Sequence, residues 1–174
     1  MRFNPDILVP GDCVLYAGLE VVRNWTHSNV GHATCYAGLG WVRNLHFTPD
    51  AKGGQVVATA DVNGVGYYIL DQQNEIVRVK RPNLPFNVNL AISWFEPFVG
   101  LPYGWPDTLG DALGDLTSND PKVMNCSHVA SSFSLAGGCP LVDPTRNPHY
   151  VTPRDIDYSC GCQMIWSADD DPQA

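Results

Sequence analysis

Short apolar runs separated by glycine, proline and polar residues dominate this chain. The clearest strands are predicted at 65–70 and 75–80, where β-branched and aromatic residues cluster. The polar segment Asp71–Asn74 between them predicts a hairpin that pairs these two strands. Further runs of the same kind predict shorter strands at 13–16, 31–38, 41–46, 55–59 and 163–166. The spacing of 31–38 and 41–46 also predicts a hairpin.

Helical spacing of the apolar residues replaces this pattern in two segments. In the first, Asn87 is a suitable N-cap, and a helix is predicted from Val88 to Val99, bent or ended by Pro97. The second segment begins near Cys126 and stops at the glycine pair Gly137–Gly138. Strands and helices together predict an α+β fold, and a short helix is also compatible with residues 107–116.

The start of the second helix decides how its cysteine behaves. If the helix begins at Cys126, the thiol lies in the first turn, where the helix macrodipole favours the thiolate. If it begins at Pro121, with Asp120 as the N-cap, the thiol lies in the second turn and feels less of the dipole. The sequence is compatible with both starts.

Length and composition predict one domain. The 174 residues are 44% hydrophobic, which is enough for one core over about residues 11–166, followed by an acidic tail at 167–174. The net charge is −8 and no run of Lys or Arg occurs, so nucleic acid and anionic membranes are poor partners. We see no secretory signal and no stretch of transmembrane length, and we therefore expect synthesis in the cytoplasm without membrane insertion.

The six cysteines are expected to be reduced thiols, because no secretory signal precedes them. Cys13 and Cys35 are expected to pack inside strands. Cys160 and Cys162 form a close pair, to which Cys139, Cys13 or a histidine could add ligands for a tetrahedral metal site. A C-x-C pair alone is a weak signal, so we expect neither a metal nor another cofactor.

Two histidines are predicted to lie near each other. His32 opens the strand at 31–38, and His46 closes the strand at 41–46, so a hairpin would bring both imidazoles to one end of the sheet. A histidine near a cysteine raises the thiolate fraction at neutral pH and can return the proton later in a reaction. Cys126 is therefore a candidate nucleophile, for which a base has to come from elsewhere in the chain.

Several segments also occur in a recognisable order: Gly11–Tyr16, Gly31–Gly38, Val77–Pro82, Gly100–Tyr103, Asn125–Val129 and Val151–Ile156. As a set they resemble the circularly permuted NlpC/P60 proteins, papain-like cysteine hydrolases and acyltransferases that include the YiiX-like and the lecithin:retinol acyltransferase-like groups. The resemblance spans residue 11 to about 157. Three features depart from it: His128 stands where the family commonly has Glu, residues 104–124 look like an insertion, and the Cys160/Cys162 pair has no family counterpart.

The resemblance implies a permuted papain-like fold, in which an antiparallel sheet packs against the helix that bears the nucleophile. Carried over residue by residue, it makes Cys126 the nucleophile, His32 the base and His46 the group that orients His32. Asn44, His27 and His128 remain alternatives for that third position. Tyr103 resembles the tyrosine that lines the family's substrate cleft.

The implied reaction is acyl transfer from an amide or ester through a thioester on the cysteine, without a metal. We expect a cysteine amidase or endopeptidase that acts on peptidoglycan stem peptides or similar amides. A place in a bacteriophage virion, among tail proteins, would give such an enzyme access to the wall from outside. The alternatives are a lipid-directed acyltransferase or thioesterase of the same fold, and a catalytically silent structural module of a virion.

Overall fold

The computed structural model describes residues 3–18, 20, 23–24, 27–40, 54–70, 75–104 and 123–170. The strand predicted at 41–46, including Asn44 and His46, and the short helix predicted at 107–116 lie outside these residues. Within them the chain has an α+β fold with one antiparallel sheet of six strands, ordered β4-β3-β2-β1-β5-β6. The strands are β1 (Cys13–Tyr16), β2 (His32–Leu39), β3 (Gln55–Asp61), β4 (Gly64–Ile69), β5 (Ile76–Pro82) and β6 (Cys162–Ser167).

Each strand that the sequence predicts within these residues is present, but the hairpin predicted between β4 and β5 is wrong. β4 pairs with β3 and lies at one edge of the sheet, whereas β5 pairs with β1 and β6. β5 is covered on both faces: Val77 is 4% exposed in one core cluster and Val79 is fully buried in another, because a β-bulge between the pairs Leu15↔Arg78 and Tyr16↔Ile76 interrupts the alternation. A hairpin signal reports only that two runs are close in the chain, so it could not show that β5 pairs with the distant β1 and β6.

Among the described residues, the sheet is accompanied by the α-helices α1 (Val88–Phe95), α2 (Cys126–Ala136) and α3 (Pro153–Asp157). Asn87 caps α1 as predicted, because its side chain accepts hydrogen bonds from the first free N–H groups of the helix. α1 ends four residues before the predicted Val99, and Glu96–Phe98 continue as a 3-10 turn around Pro97. No helix in the described ranges is long and apolar enough to cross a membrane.

α2 is held between two layers. On one side Phe133 packs edge-on against Phe95 of α1, at 5.6 Å between ring centroids, and Phe95 packs in the same way against Tyr67 of β4. On the other side α2 contacts α3 and the 3-10 turn Pro148–Tyr150. Residues 126–134 are buried, so α2 has no solvent-facing side over most of its length.

Two cations of β5 hold α3 in place. The buried Lys80 ammonium donates to the carbonyl oxygens of Ile156 and Ser159, at 3.4 and 3.3 Å, and to that of Asp157. Arg78 forms an ion pair with the Asp157 carboxylate. The last carbonyls of a helix have no partner within the helix, so the ammonium supplies the donors they need. These contacts hold α3, which packs on the side of α2 opposite α1.

Candidate active site

α2 begins at Cys126. Asn125 is its N-cap: the backbone of Asn125 is extended, and its side-chain oxygen accepts from the His128 N–H at 2.8 Å. Residues 123–125 are not helical, so the alternative start at Pro121 is wrong. The thiol therefore lies in the first turn, at the positive end of the helix macrodipole.

The structure brings this thiol to His32. β1 and β2 meet at their ends in the pair Tyr16 and His32, and the start of α2 lies against the same end of the sheet. The His32 imidazole and the Cys126 thiol form a hydrogen bond, and the sulfur also accepts from the N–H groups of Ala33 and Ser127. Cys126 is 5% exposed, so the pair is largely shielded from water.

The two groups change each other's protonation. Burial alone would raise the pKa of Cys126, but the charge and hydrogen bond of His32, with the two N–H donors, outweigh it and lower the pKa below its ordinary 9.0. Burial would lower the pKa of His32, yet the charge and hydrogen bond of Cys126 raise it above its ordinary 6.5. Both shifts favour a thiolate–imidazolium pair.

The other buried cysteines behave differently. Burial raises the pKa of each of Cys13, Cys35, Cys139 and Cys162. Cys13 and Cys35 lie opposite each other inside β1 and β2, fully buried, as the sequence predicts. These thiols are therefore poor nucleophiles, which separates them chemically from Cys126.

Asp61 is a third polar group at this site, and the sequence analysis missed it. Continuing the pairing Cys35↔Ala58 along β2 and β3 places Asp61 opposite His32, and its charge contributes to the raised pKa of His32. The Asp61 carboxylate accepts from the Asn63 N–H at 2.7 Å and lies within hydrogen-bonding reach of the Tyr68 hydroxyl. The signal that could have found Asp61 is the β2–β3 register, which the hairpin proposed between 31–38 and 41–46 obscured.

The remaining predicted site residues fall in different places. Tyr103 is half-buried and forms an isolated β-bridge with Met124, two residues before the nucleophile candidate, so it lies beside the start of α2. His46 lies outside the described residues. Of the alternatives for the third position, His27 is exposed in a turn with φ of 50°, and His128 packs against His149 with 4.2 Å between ring centroids.

His128 is buried. Its Nδ1 atom is buried and makes no hydrogen bond within the described residues. Burial, followed by the charge of His149, lowers the pKa of His128 to about 3. The imidazole is therefore neutral at neutral pH and acts there as a packing group of α2.

The cysteine pair near the end of the chain has no cluster of further metal ligands among the described residues. Cys160 is exposed, while Cys162 is buried with its thiol 3.8 Å from the Ser159 carbonyl oxygen. All six cysteines are free thiols. Among the described residues, no three His, Cys, Asp or Glu side chains lie close enough together to hold a metal ion.

Comparison with known proteins identifies the type of fold. No family model matches the chain, and no curated protein matches it. Among solved structures, the chain is similar to the crystal structure of the metalloprotein YiiX from Escherichia coli O157:H7, with a TM-score of 0.63 and 16% identity over 91% of this chain and 96% of that one. The protein therefore has a YiiX-like α+β fold.

The shifted pKa of Cys126 predicts a reactive thiolate. Alkylation of Cys126 by iodoacetamide, followed by peptide mass mapping across pH, should show a midpoint below 9.0, because the imidazolium stabilises the thiolate. In His32→Gln the midpoint should rise, since burial then acts without the compensating charge. The exposed Cys160 is mapped in the same digest as an internal reference. An unchanged midpoint in His32→Gln would contradict the pairing.

The lowered pKa of His128 predicts loss of stability in mild acid. His128 takes up a proton below pH 6.5 in the unfolded chain, but only near pH 3 in the folded chain. The free energy of unfolding should therefore fall as pH drops through this window. Each pKa unit of difference corresponds to about 1.4 kcal/mol. Urea unfolding between pH 7.5 and 4 measures the slope.

His128→Gln should flatten this slope, whatever its effect at pH 7.5, because the titrating group is gone. His27→Gln removes an exposed histidine instead and serves as the matched control. If His128→Gln and wild type lose stability in parallel, His128 is not the group responsible.

Proposed function

We propose that this protein is a cysteine hydrolase of circularly permuted NlpC/P60 type, which cleaves amide bonds through a thioester on Cys126. The observation that carries the proposal is the hydrogen-bonded pair of Cys126 and His32 at the start of a buried helix, with the pKa of the thiol lowered and that of the imidazole raised. Pairs of this kind are the usual means of activating a cysteine nucleophile.

The chemistry follows from this pair. The Cys126 thiolate attacks the amide carbonyl carbon, an S–C bond forms, and the carbonyl π electrons move to the oxygen. When the tetrahedral intermediate collapses, the C–N bond breaks and His32 gives its proton to the departing amine. Water then attacks the thioester and His32 accepts a proton from it; the C–S bond breaks, the carboxylic acid departs, and the Cys126 thiolate beside the His32 imidazolium is restored.

Asp61 takes the orienting role in this proposal. Its position across from His32 and its favourable charge suit a residue that holds the imidazole in one orientation and stabilises the imidazolium. Along the chain the order is then base, orienting residue, nucleophile, which is the order in permuted members of the family. A role for His46 beside Asp61 remains a prediction from the sequence.

The substrate class proposed is a peptide amide, with peptidoglycan stem peptides first. The net charge of −8 and the absence of a Lys/Arg run support a cationic or weakly charged substrate over a polyanionic one. Tyr103, beside the start of α2, is suited to line the cleft that receives it.

Digestion of muropeptides tests the proposal. The wild type should release cleaved stem peptides, detected by mass spectrometry, while Cys126→Ala should release no more than a sample without enzyme, because no other group can form the thioester. Cys160→Ala removes an exposed thiol away from α2 and should behave as wild type. Equal product from wild type and Cys126→Ala would reject the nucleophile, and no product from the wild type on muropeptides or other peptide amides would reject the proposed activity.

Replacing Asp61 tests the orienting role. Asp61→Asn should lower kcat at least about tenfold, since a neutral amide neither stabilises the imidazolium nor fixes its orientation. Loss of the charge should also lower the pKa of His32, so the alkaline limb of the pH–rate profile should move to lower pH. Asp61→Glu keeps the charge and should retain the position of that limb. A purely structural Asp61 would leave the profile of Asp61→Asn in place.

A further inference from the structure

We infer that the Asn125 side-chain amide donates a hydrogen bond to the oxyanion that forms when Cys126 attacks an acyl substrate. This inference rests on the proposed function, because an oxyanion forms only in acyl transfer. Asn125 already caps α2, so it would serve two purposes with the two ends of one amide group.

The oxygen of the Asn125 side-chain amide is already used to cap α2. Asn125 Oδ1 accepts from the His128 N–H at 2.8 Å, while the nearby Ser127 hydroxyl has the Val151 carbonyl oxygen as its closer acceptor. An amide nitrogen in that position would face the His128 N–H, so this hydrogen bond fixes which end of the group is oxygen. The Nδ2 atom must therefore point away from the first turn.

Within the described residues, the nitrogen end donates no hydrogen bond. Asn125 is 4% exposed, and its side-chain hydrogen bond to these residues engages Oδ1. A donor that is held in a fixed direction one residue from a nucleophile, and that is not bonded to the described residues, is suited to a charge that appears only during the reaction.

The other donors near the sulfur are already engaged. The N–H groups of Ala33 and Ser127 donate to the Cys126 sulfur, and the His128 N–H donates to Asn125. They stabilise the thiolate before the reaction, whereas the oxyanion needs donors of its own. Among the described residues at the start of α2, the Cys126 N–H and Asn125 Nδ2 are the groups left for it.

Asn125 transfers no proton in this step. The sulfur–carbon bond forms, the carbonyl π pair becomes the negative charge on oxygen, and the amide N–H stabilises this charge through a hydrogen bond. On collapse the charge returns to the C=O bond, and His32 supplies the proton of the leaving group.

Two reagents separate this role from activation of the thiol. Acylation by p-nitrophenyl acetate passes through an oxyanion, whereas alkylation by iodoacetamide displaces iodide at a saturated carbon and forms none. The ratio of the two second-order rate constants for Cys126 therefore reports the oxyanion donor and cancels changes in the thiolate fraction.

Asn125→Asp and Asn125→Thr both keep a side-chain oxygen that can cap α2, and both remove the amide donor. We expect each variant to remain folded by circular dichroism and to lower the acylation-to-alkylation ratio by about 100-fold. Asn87→Asp makes the same change at the N-cap of α1 and should leave the ratio at the wild-type value.

The outcomes distinguish the two proposals. If wild type is acylated and both Asn125 variants keep the wild-type ratio, Asn125 is only a helix cap and this inference fails alone. If wild type is alkylated at Cys126 but never acylated by the ester, the proposed acyl transfer fails and this inference fails with it. A lower ratio in both variants, with Asn87→Asp unchanged, supports the donor role.

Discussion

The contact between the first turn of α2 and the first residue of β2 is the constraint on which the site depends. A thiol that is 5% exposed would ordinarily stay protonated, and partial burial of an imidazole ordinarily favours its neutral form. Only their direct contact, at fixed positions of helix and strand, reverses both tendencies. The layers on either side of α2 matter because they prevent its start from moving away from His32.

Local patterns in the sequence predicted the elements of this contact, whereas the pairing of Cys126 with His32 was implied by the resemblance to permuted NlpC/P60 proteins. Short apolar runs predicted the strands, and the glycine pair Gly137–Gly138 marked the end of α2, but its start was left open between Cys126 and Pro121. The place of β5 between β1 and β6, and the position of Asp61 opposite His32, depend on strand register between distant segments. Sequence spacing does not encode such register, because a hairpin signal reports only that two runs are close in the chain.

A shared fold does not by itself assign a reaction. At 16% identity, the likeness to YiiX concerns the path of the chain, and chemistry has to be inferred from the side chains. His128 illustrates the difference, since it occupies a position where the resemblance leads one to expect a charged Glu. Here the position holds a neutral ring packed on His149, so it contributes to the enclosure of α2 and carries no charge near neutral pH.

The Lys80 ammonium has a consequence for how the protein folds. It joins β5 to carbonyl groups that lie 76 to 79 residues later in the chain, and β6 pairs with β5 over a similar separation. Contacts between such distant residues carry a large loop-closure entropy and slow the folding of a domain. We therefore expect α2 to pack on the sheet first, and its contact with α3 to form late in folding, once β5 has captured the segment that follows α2.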